Sequence, residues 1–276
     1  MNNLEILDQF KGFLNTKDIF SSQTGAIKQF EFPEIKITDT LLQDLNELDH
    51  PRNSVLGKRM ESFFENAIKH SSRYELIASN LQIIEDKRTI GELDFLVFDK
   101  ECSKPLHIEL VYKLYVYDPN LSPEINKWIG PNRRDSFPEK LDKLNSRQFP
   151  LLYKPEAQNY LQELNLNLDK IEQQLCFKAQ LFLPDNSVFH QNPMINLNCI
   201  TGKWFPLLNF KNMGWENNLF YSPQKKDWSC DPGRNSDWYG YDELINNVEQ
   251  LFERKKAPLV WMKTKDSFHS FFIVWW

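Results

Sequence analysis

Two short segments bring acidic, basic and imidazole side chains to strand spacing. In Gly91-Glu92-Leu93-Asp94-Phe95-Leu96-Val97, the residues Leu93, Phe95 and Val97 fall on one face of an extended chain, and Glu92 and Asp94 fall on the other. In His107-Ile108-Glu109-Leu110-Val111-Tyr112-Lys113, the residues Ile108, Leu110 and Tyr112 form the apolar face, while His107, Glu109, Val111 and Lys113 point the opposite way. If the two strands pair, Asp94 and Glu109 project from one side of a sheet into a shared space. Carboxylates brought that close repel, so their ionised forms need a compensating cation or a raised pKa. Oxygen-rich coordination suits Mg²⁺ or Mn²⁺, and a metal held there polarises a phosphodiester and activates water for in-line attack. Lys113, on the same face, then orients the nucleophile or offsets charge on the phosphoryl group. The bland alternative is a half-exposed sheet on which these residues, with Glu92 and His107, are solvated or structural. Asp is disfavoured within strands, and both carboxylates fall on matching faces, which weighs against it.

The elements that must position these residues are legible as hydrophobic periods. Ser54 to His70 places Leu56, Met60, Phe63, Phe64, Ala67 and Ile68 on one helical stripe, with Asn53 or Ser54 as the cap and Glu61 at the border of the stripe. Three strands follow: Tyr74 to Ile84, Thr89 to Phe98 and Pro105 to Tyr117. They are joined by the polar turns Glu85-Asp86-Lys87-Arg88 and Asp99 to Lys104. Ser136 with Glu139 three residues on makes a capping box for a second helix, whose Phe137, Leu141 and Leu144 face inward. On that helix Lys140, Lys143 and Arg147 recur at i, i+3 and i+7, a stripe that either tracks phosphates or is simply the solvated side. A helix over Glu156 to Leu164 and a strand over Leu175 to Leu183 come next. After Pro184 the pattern is short strands, one helix (Tyr241 to Arg254) and a terminal hairpin (Leu259 to Lys263, Ser267 to Trp275).

The strings G-E-L-D-F-L and H-x-E-L-x-x-K resemble the active-site hairpin of the PD-(D/E)XK, or restriction-endonuclease-like, phosphodiesterase superfamily, and L-G-K-R-M-E resembles its first core helix. Taken with H-I-E-L-V-Y-K-L-Y and G-P-N-R-R-D, these blocks most resemble the bacterial family described as domain of unknown function 1853. The resemblance extends over most of the chain, with its motifs between Leu56 and Gln148. It implies a metal-dependent nuclease with Asp94 and Glu109 as metal ligands, Glu61 joining the site and Gln148 near it. The chain departs from the superfamily pattern E-x-K, which would put lysine at position 111, where Val111 stands. Lys113 keeps the strand parity but lies roughly 7 Å further along at ~3.3 Å per residue. A basic residue of the next helix, Lys140 or Arg147, is the alternative.

Bulk properties set the frame. The chain has 276 residues, a net charge of -5, 21 Phe and 8 Trp. An acidic total does not advertise nucleic-acid binding, yet Lys127 to Arg147 carries six basic residues against three acidic ones. Four dispersed cysteines without a C-x-x-C pair argue for a reducing cytoplasm and against a zinc ribbon. The first twenty residues carry no basic-then-apolar leader pattern, and no apolar run reaches membrane-spanning length. The tryptophans can stack bases, but core packing is the favoured use.

The expectation is therefore an α/β protein. It has a restriction-endonuclease-like αβββαβ core on a mixed sheet (53–183), an N-terminal helical segment (1–52) and a C-terminal α+β extension (184–276). The expected function is Mg²⁺- or Mn²⁺-dependent hydrolysis of DNA or RNA, with Asp94, Glu109, Lys113 and Glu61 catalytic and Lys140, Lys143, Arg147 and Gln148 on the nucleic acid. No membrane partner is expected. The rivals are a nuclease-fold binding module without turnover and a structural or partner-docking protein. A glycosidase is disfavoured, because Lys113 gives no help to that chemistry.

Overall fold

A computed structural model describes residues 6–21, 28–48, 50, 56–185 and 192–276. Helix α1 (Ile6–Asn15) and the short strand β1 (Lys28–Gln29) precede helices α2 (Asp39–Glu47) and α3 (Leu56–Lys69). Three long strands follow: β2 (Tyr74–Glu85), β3 (Arg88–Asp99) and β4 (Lys104–Tyr117). After the short strand β5 (Trp128–Ile129) come helix α4 (Phe137–Lys143), a π-helical turn (Leu144–Gln148), the single turn α5 (Phe149–Leu151) and helix α6 (Pro155–Glu163). Strand β6 (Glu172–Pro184) completes the expected succession of helix, three strands, helix and strand. Beyond it lie β7 (Ile200–Pro206), α7 (Leu207–Lys211), β8 (Leu219–Tyr221), α8 (Tyr241–Glu253) and the hairpin β9 (Leu259–Lys263) and β10 (Phe268–Val274).

The fold class is α/β with a mixed sheet. Strands hydrogen-bond in the order β2-β3-β4-β6-β7-β10-β9-β8, with β1 on β6 and β5 on β4. The pairs β2/β3, β3/β4, β4/β5, β8/β9 and β9/β10 are antiparallel, whereas β1/β6, β6/β7 and β7/β10 are parallel. Two compact units interleave along the chain, where the sequence reading has consecutive segments. One comprises Phe20–Tyr112 and Glu139–Lys178; the second comprises Met1–Ile19, Lys113–Pro138 and Ala179–Trp276.

In the first unit, α3 buries Leu56, Met60, Phe63, Phe64, Ala67 and Ile68, the stripe its spacing predicts. The Phe64 ring lies tilted, its centre 4.5 Å from that of Phe95 of β3 and 5.5 Å from that of Phe30. The proposed caps Asn53 and Ser54 lie outside the described residues. Gly91 in β3 lies against Leu151 of α5: a Cβ there would sit 2.5 Å from a Leu151 methyl carbon. Leu151 is itself packed with Ile83, Leu93, Leu96 and Leu161.

The helix after Ser136 departs from expectation. A regular α-helix would have the Phe149 N–H bond to the Asn145 carbonyl. The chain widens instead, and the Phe149 N–H bonds to the Leu144 carbonyl, an i→i+5 step. Lys140, Lys143 and Arg147 therefore do not lie along one continuous α-helical face.

The second unit absorbs much of the aromatic excess. Phe205, Phe210, Phe220 and Phe271 pack with Leu244, Val248, Val260, Met262 and Ile273 in one cluster. Trp204, Trp228 and Trp261 are buried, and Trp215 and Trp238 half-buried. Core packing thus accounts for most of these rings, as area burial favours. Among the described residues all four cysteines are unbridged, and no helix is long and apolar enough to cross a membrane.

Gly91→Ala should lower stability by about 1–3 kcal/mol, because the added methyl must displace a packed side chain. The midpoint of urea unfolding measures it; an unchanged midpoint would show that Leu151 has room to retreat.

Candidate active site

The β3–β4 ladder pairs Phe95 with Ile108, Leu96 with His107 and Val97 with Leu106. Continued by one residue, that register sets Asp94 opposite Glu109. The strands expected to pair do so, and the two carboxyl groups meet. Each carboxyl is close enough to the other to act on its ionisation. One oxygen of Asp94 accepts from the Leu110 N–H at 2.9 Å. The His107–Glu109 face of β4 is not the half-exposed surface of the bland alternative. His107 and Glu109 are each 0% exposed, because the π-helical turn and α5 cover them.

Hydrogen-bond logic fixes the orientation of that cover. The Gln173 amide nitrogen donates to the Phe149 carbonyl at 2.8 Å, and a carbonyl can only accept, so its second N–H is the one that reaches His107 Nδ1 at 3.0 Å. Nδ1 therefore accepts, the ring proton is on Nε2, and Nε2 donates to Glu109 at 3.0 Å. Burial holds the His107 pKa down to about 4, so this is a neutral imidazole and not one half of an ion pair. On the other side, Lys140 can only donate, and its ammonium meets the Gln148 carbonyl oxygen at 2.8 Å. The Gln148 amide nitrogen must then donate to the second oxygen of Glu109.

The π-helical turn makes this chain possible. Eight residues of regular α-helix turn about 800°, some 80° past two full turns. The wider turn winds less per residue and brings Gln148 back into line with Lys140.

The electrostatics follow from burial. Asp94 is pushed up to about 8, first by desolvation and then by the charge of Glu109, with Glu61 adding to it. Desolvation raises Glu109 to about 7, against the opposing influence of Lys140, the hydrogen bonds from Asp94, and Lys143. The two carboxyls titrate as a coupled pair and hold protons into the neutral range.

Around this pair the predicted residues divide. Glu61 sits close enough to act on Asp94, and it accepts from Lys58 at 2.7 Å. Lys58 also bonds Glu92 at 3.2 Å and the Asn80 side-chain oxygen at 3.1 Å, tying α3 to β2 and β3. Lys140 reaches both carboxyls electrostatically, Lys143 reaches Glu109, and Arg147 is exposed. Lys113 engages Asp135. Val111, where the superfamily pattern has its lysine, is 2% exposed.

Asn80, Lys58 and Gln173 went unmarked in the sequence. The β2–β3 register sets Asn80 opposite Asp94, and its φ of 52° breaks the ladder there. Left-handed backbone at a non-glycine residue concentrates at functional positions. The available signal was an asparagine inside an otherwise strand-forming run, since Asn favours that conformation and is depleted in strands.

As hard oxygen donors, Asp94 and Glu109 fit Mg²⁺ or Mn²⁺. Among the described residues no three or more His, Cys, Asp and Glu side chains are grouped to hold an ion. Mg²⁺ commonly uses one or two carboxylates and completes its shell with water and phosphate oxygens.

Because the folded pair binds protons more tightly than the unfolded chain, its contribution is full below the unfolded carboxylate range. It is lost as pH rises through about 7 to about 8. Asp94→Asn removes the coupling, so its unfolding midpoint should gain on wild type between about pH 5 and about pH 9. A wild-type-minus-variant difference that stays flat with pH would contradict the assignment. His107→Leu, leaving Glu109 one donor short, should cost about 1–3 kcal/mol in urea unfolding.

No curated protein and no solved structure matches the chain. A family model described as "Domain of unknown function (DUF1853)" matches residues 22–270, which takes in β1 through the start of β10. With the blocks around Leu56, Gly91, His107 and Gly130 all inside that span, the chain belongs to the DUF1853 family.

Proposed function

We propose that the chain is a metal-dependent phosphodiesterase of the PD-(D/E)XK type acting on DNA or RNA, with Asp94 and Glu109 as the ligands of Mg²⁺ or Mn²⁺. The observation that carries this is the meeting of a fully buried carboxyl, Glu109, and a half-buried one, Asp94, from adjacent strands, each made hard to ionise by desolvation. A divalent cation replaces the protons that otherwise neutralise such a pair. When bound, the ion supplies Lewis-acid polarisation of a phosphoryl oxygen and a more acidic water. The protein's own share is positioning. His107, locked by Gln173, and Gln148, locked by Lys140, hold the Glu109 oxygens in place. Lys140, the cation nearest the pair, takes the role first read for Lys113 and offsets charge on the phosphoryl group. Glu61 and Lys58 border Asp94, and Lys143 and Arg147 meet backbone phosphates. The unbridged cysteines accord with a reducing cytoplasm.

A second reading, nucleic-acid binding without turnover, is favoured by Val111 in the lysine position and by the full burial of Glu109.

Purified protein should cleave a DNA or RNA substrate with Mg²⁺ or Mn²⁺ and not with EDTA. Asp94→Asn and Glu109→Gln should each lower kcat by at least about 100-fold, and Lys140→Met by a similar factor. Calorimetry with Mn²⁺ should show proton release and tighter binding as pH rises through the neutral range. Salt-sensitive binding with no turnover, untouched by Glu109→Gln, selects the second reading. Absence of divalent-dependent cleavage on any nucleic-acid form, with Mn²⁺ affinity unaltered in Asp94→Asn, removes the enzyme altogether.

A further inference from the structure

The segment Gly130-Pro131-Asn132-Arg133-Arg134-Asp135, in the second unit, is held far more firmly than a surface loop needs. Its ends close on each other: Gly130 N–H donates to the Asp135 carbonyl, and Arg133 N–H to the Gly130 carbonyl, both at 2.8 Å. The Ala257 N–H donates to the Asn132 side-chain oxygen at 2.8 Å, and the Trp276 indole N–H to the Pro131 carbonyl at 3.1 Å. A Cβ at position 130 would lie 2.0 Å from an Asp135 carboxylate oxygen, so glycine lets that carboxylate lie against the loop backbone.

Of the two adjacent arginines, one is spent on this scaffold. Arg133, at φ 53°, pairs with buried Asp118 at 3.0 Å and sets its guanidinium 4.4 Å from the Trp276 ring centre. Arg134 is exposed, and among the described residues it makes no hydrogen bond or ion pair. Next to it Asp135 engages Lys113. Lys225, whose ammonium lies 5.5 Å from the Trp228 ring centre, is near enough to feel the charges of Lys113, Arg134 and Asp135. Burial, Lys113 and Arg134 all act to lower the pKa of Lys225, and Asp135 opposes them. Three cations thus share a single carboxylate.

Solvated surface cations spread apart; here one is fixed by its loop and crowds another. An anion relieves that crowding. A braced loop spares the backbone share of the ordering cost of binding, and the planar guanidinium fork matches two phosphate oxygens.

We propose that Arg134, Lys113 and Lys225 form a phosphate site, filled by a backbone phosphate of a nucleic-acid strand or by free inorganic phosphate. The site does not rest on the carboxylate pair. Binding needs no divalent cation and survives Asp94→Asn.

The test measures anisotropy of a short fluorescein-labelled oligothymidylate with the full chain in EDTA, and calorimetry with inorganic phosphate. Arg134→Ala and Lys225→Ala should each weaken the occupying ligand about tenfold, and Arg134→Ala should flatten the oligonucleotide's log–log salt dependence by about 0.7. Asp135→Asn, which removes the competing negative charge, should tighten it. Arg134-dependent oligonucleotide binding that millimolar phosphate barely displaces identifies a backbone phosphate. Arg134-dependent binding of phosphate alone identifies the free ion. Either outcome supports the site. Affinities for both probes within about twofold of wild type in Arg134→Ala and Lys225→Ala, in variants whose thermal unfolding is unchanged, would overturn it, as would no binding of either probe at about 50 mM salt.

Discussion

Two carboxyl groups on neighbouring strands cannot be buried together and both stay charged, and most of the first unit around Asp94 and Glu109 answers that constraint. Desolvation and mutual repulsion raise both pKa values, so the pair keeps protons where exposed carboxylates would have lost them. The donors that touch the Glu109 carboxyl are neutral: an imidazole N–H and an amide N–H. Positive charge is set one residue back, at Lys140, which reaches Glu109 through Gln148. A cation bonded directly to the carboxylate would satisfy the pair permanently. With Lys140 at one remove, the pair remains responsive to whatever else brings positive charge.

That arrangement depends on irregular backbone at two places. Asn80 in a left-handed conformation opens the β2–β3 ladder opposite Asp94. The helix ladder widens over Leu144–Gln148, and that π-helical turn aligns Gln148 with Lys140. Regular strand and regular helix would put other atoms at these points. Both irregularities cost local stability and persist because packing over-determines them.

The second unit uses its charges differently. Its aromatic residues are spent mainly on burial, while the Gly130–Asp135 loop is braced by backbone, indole and ion-pair contacts. The loop fixes the backbone that carries Arg134, within range for its charge to act on Lys225.

Much of the fold was written in hydrophobic period. The α3 stripe, β2 through β4, and the terminal hairpin begin and end within a residue or two of where alternation and 3.6-residue spacing place them, because these patterns report burial locally. Strand parity likewise determined that Asp94 and Glu109 share a face, since side chains alternate whatever the partner. Parity could not tell which cation serves them. Lys113 has the right parity but engages Asp135, and Lys140 arrives from a helix that runs on into a π-helical turn. Nor could it tell that the carboxylate face is buried, because cover from α5 and the π-helical turn is a long-range fact. The residue types at the candidate site thus belong to the sequence. Their protonation, their donors and their nearest positive charge belong to the tertiary structure, because desolvation and Coulomb forces depend on distance through space and not along the chain.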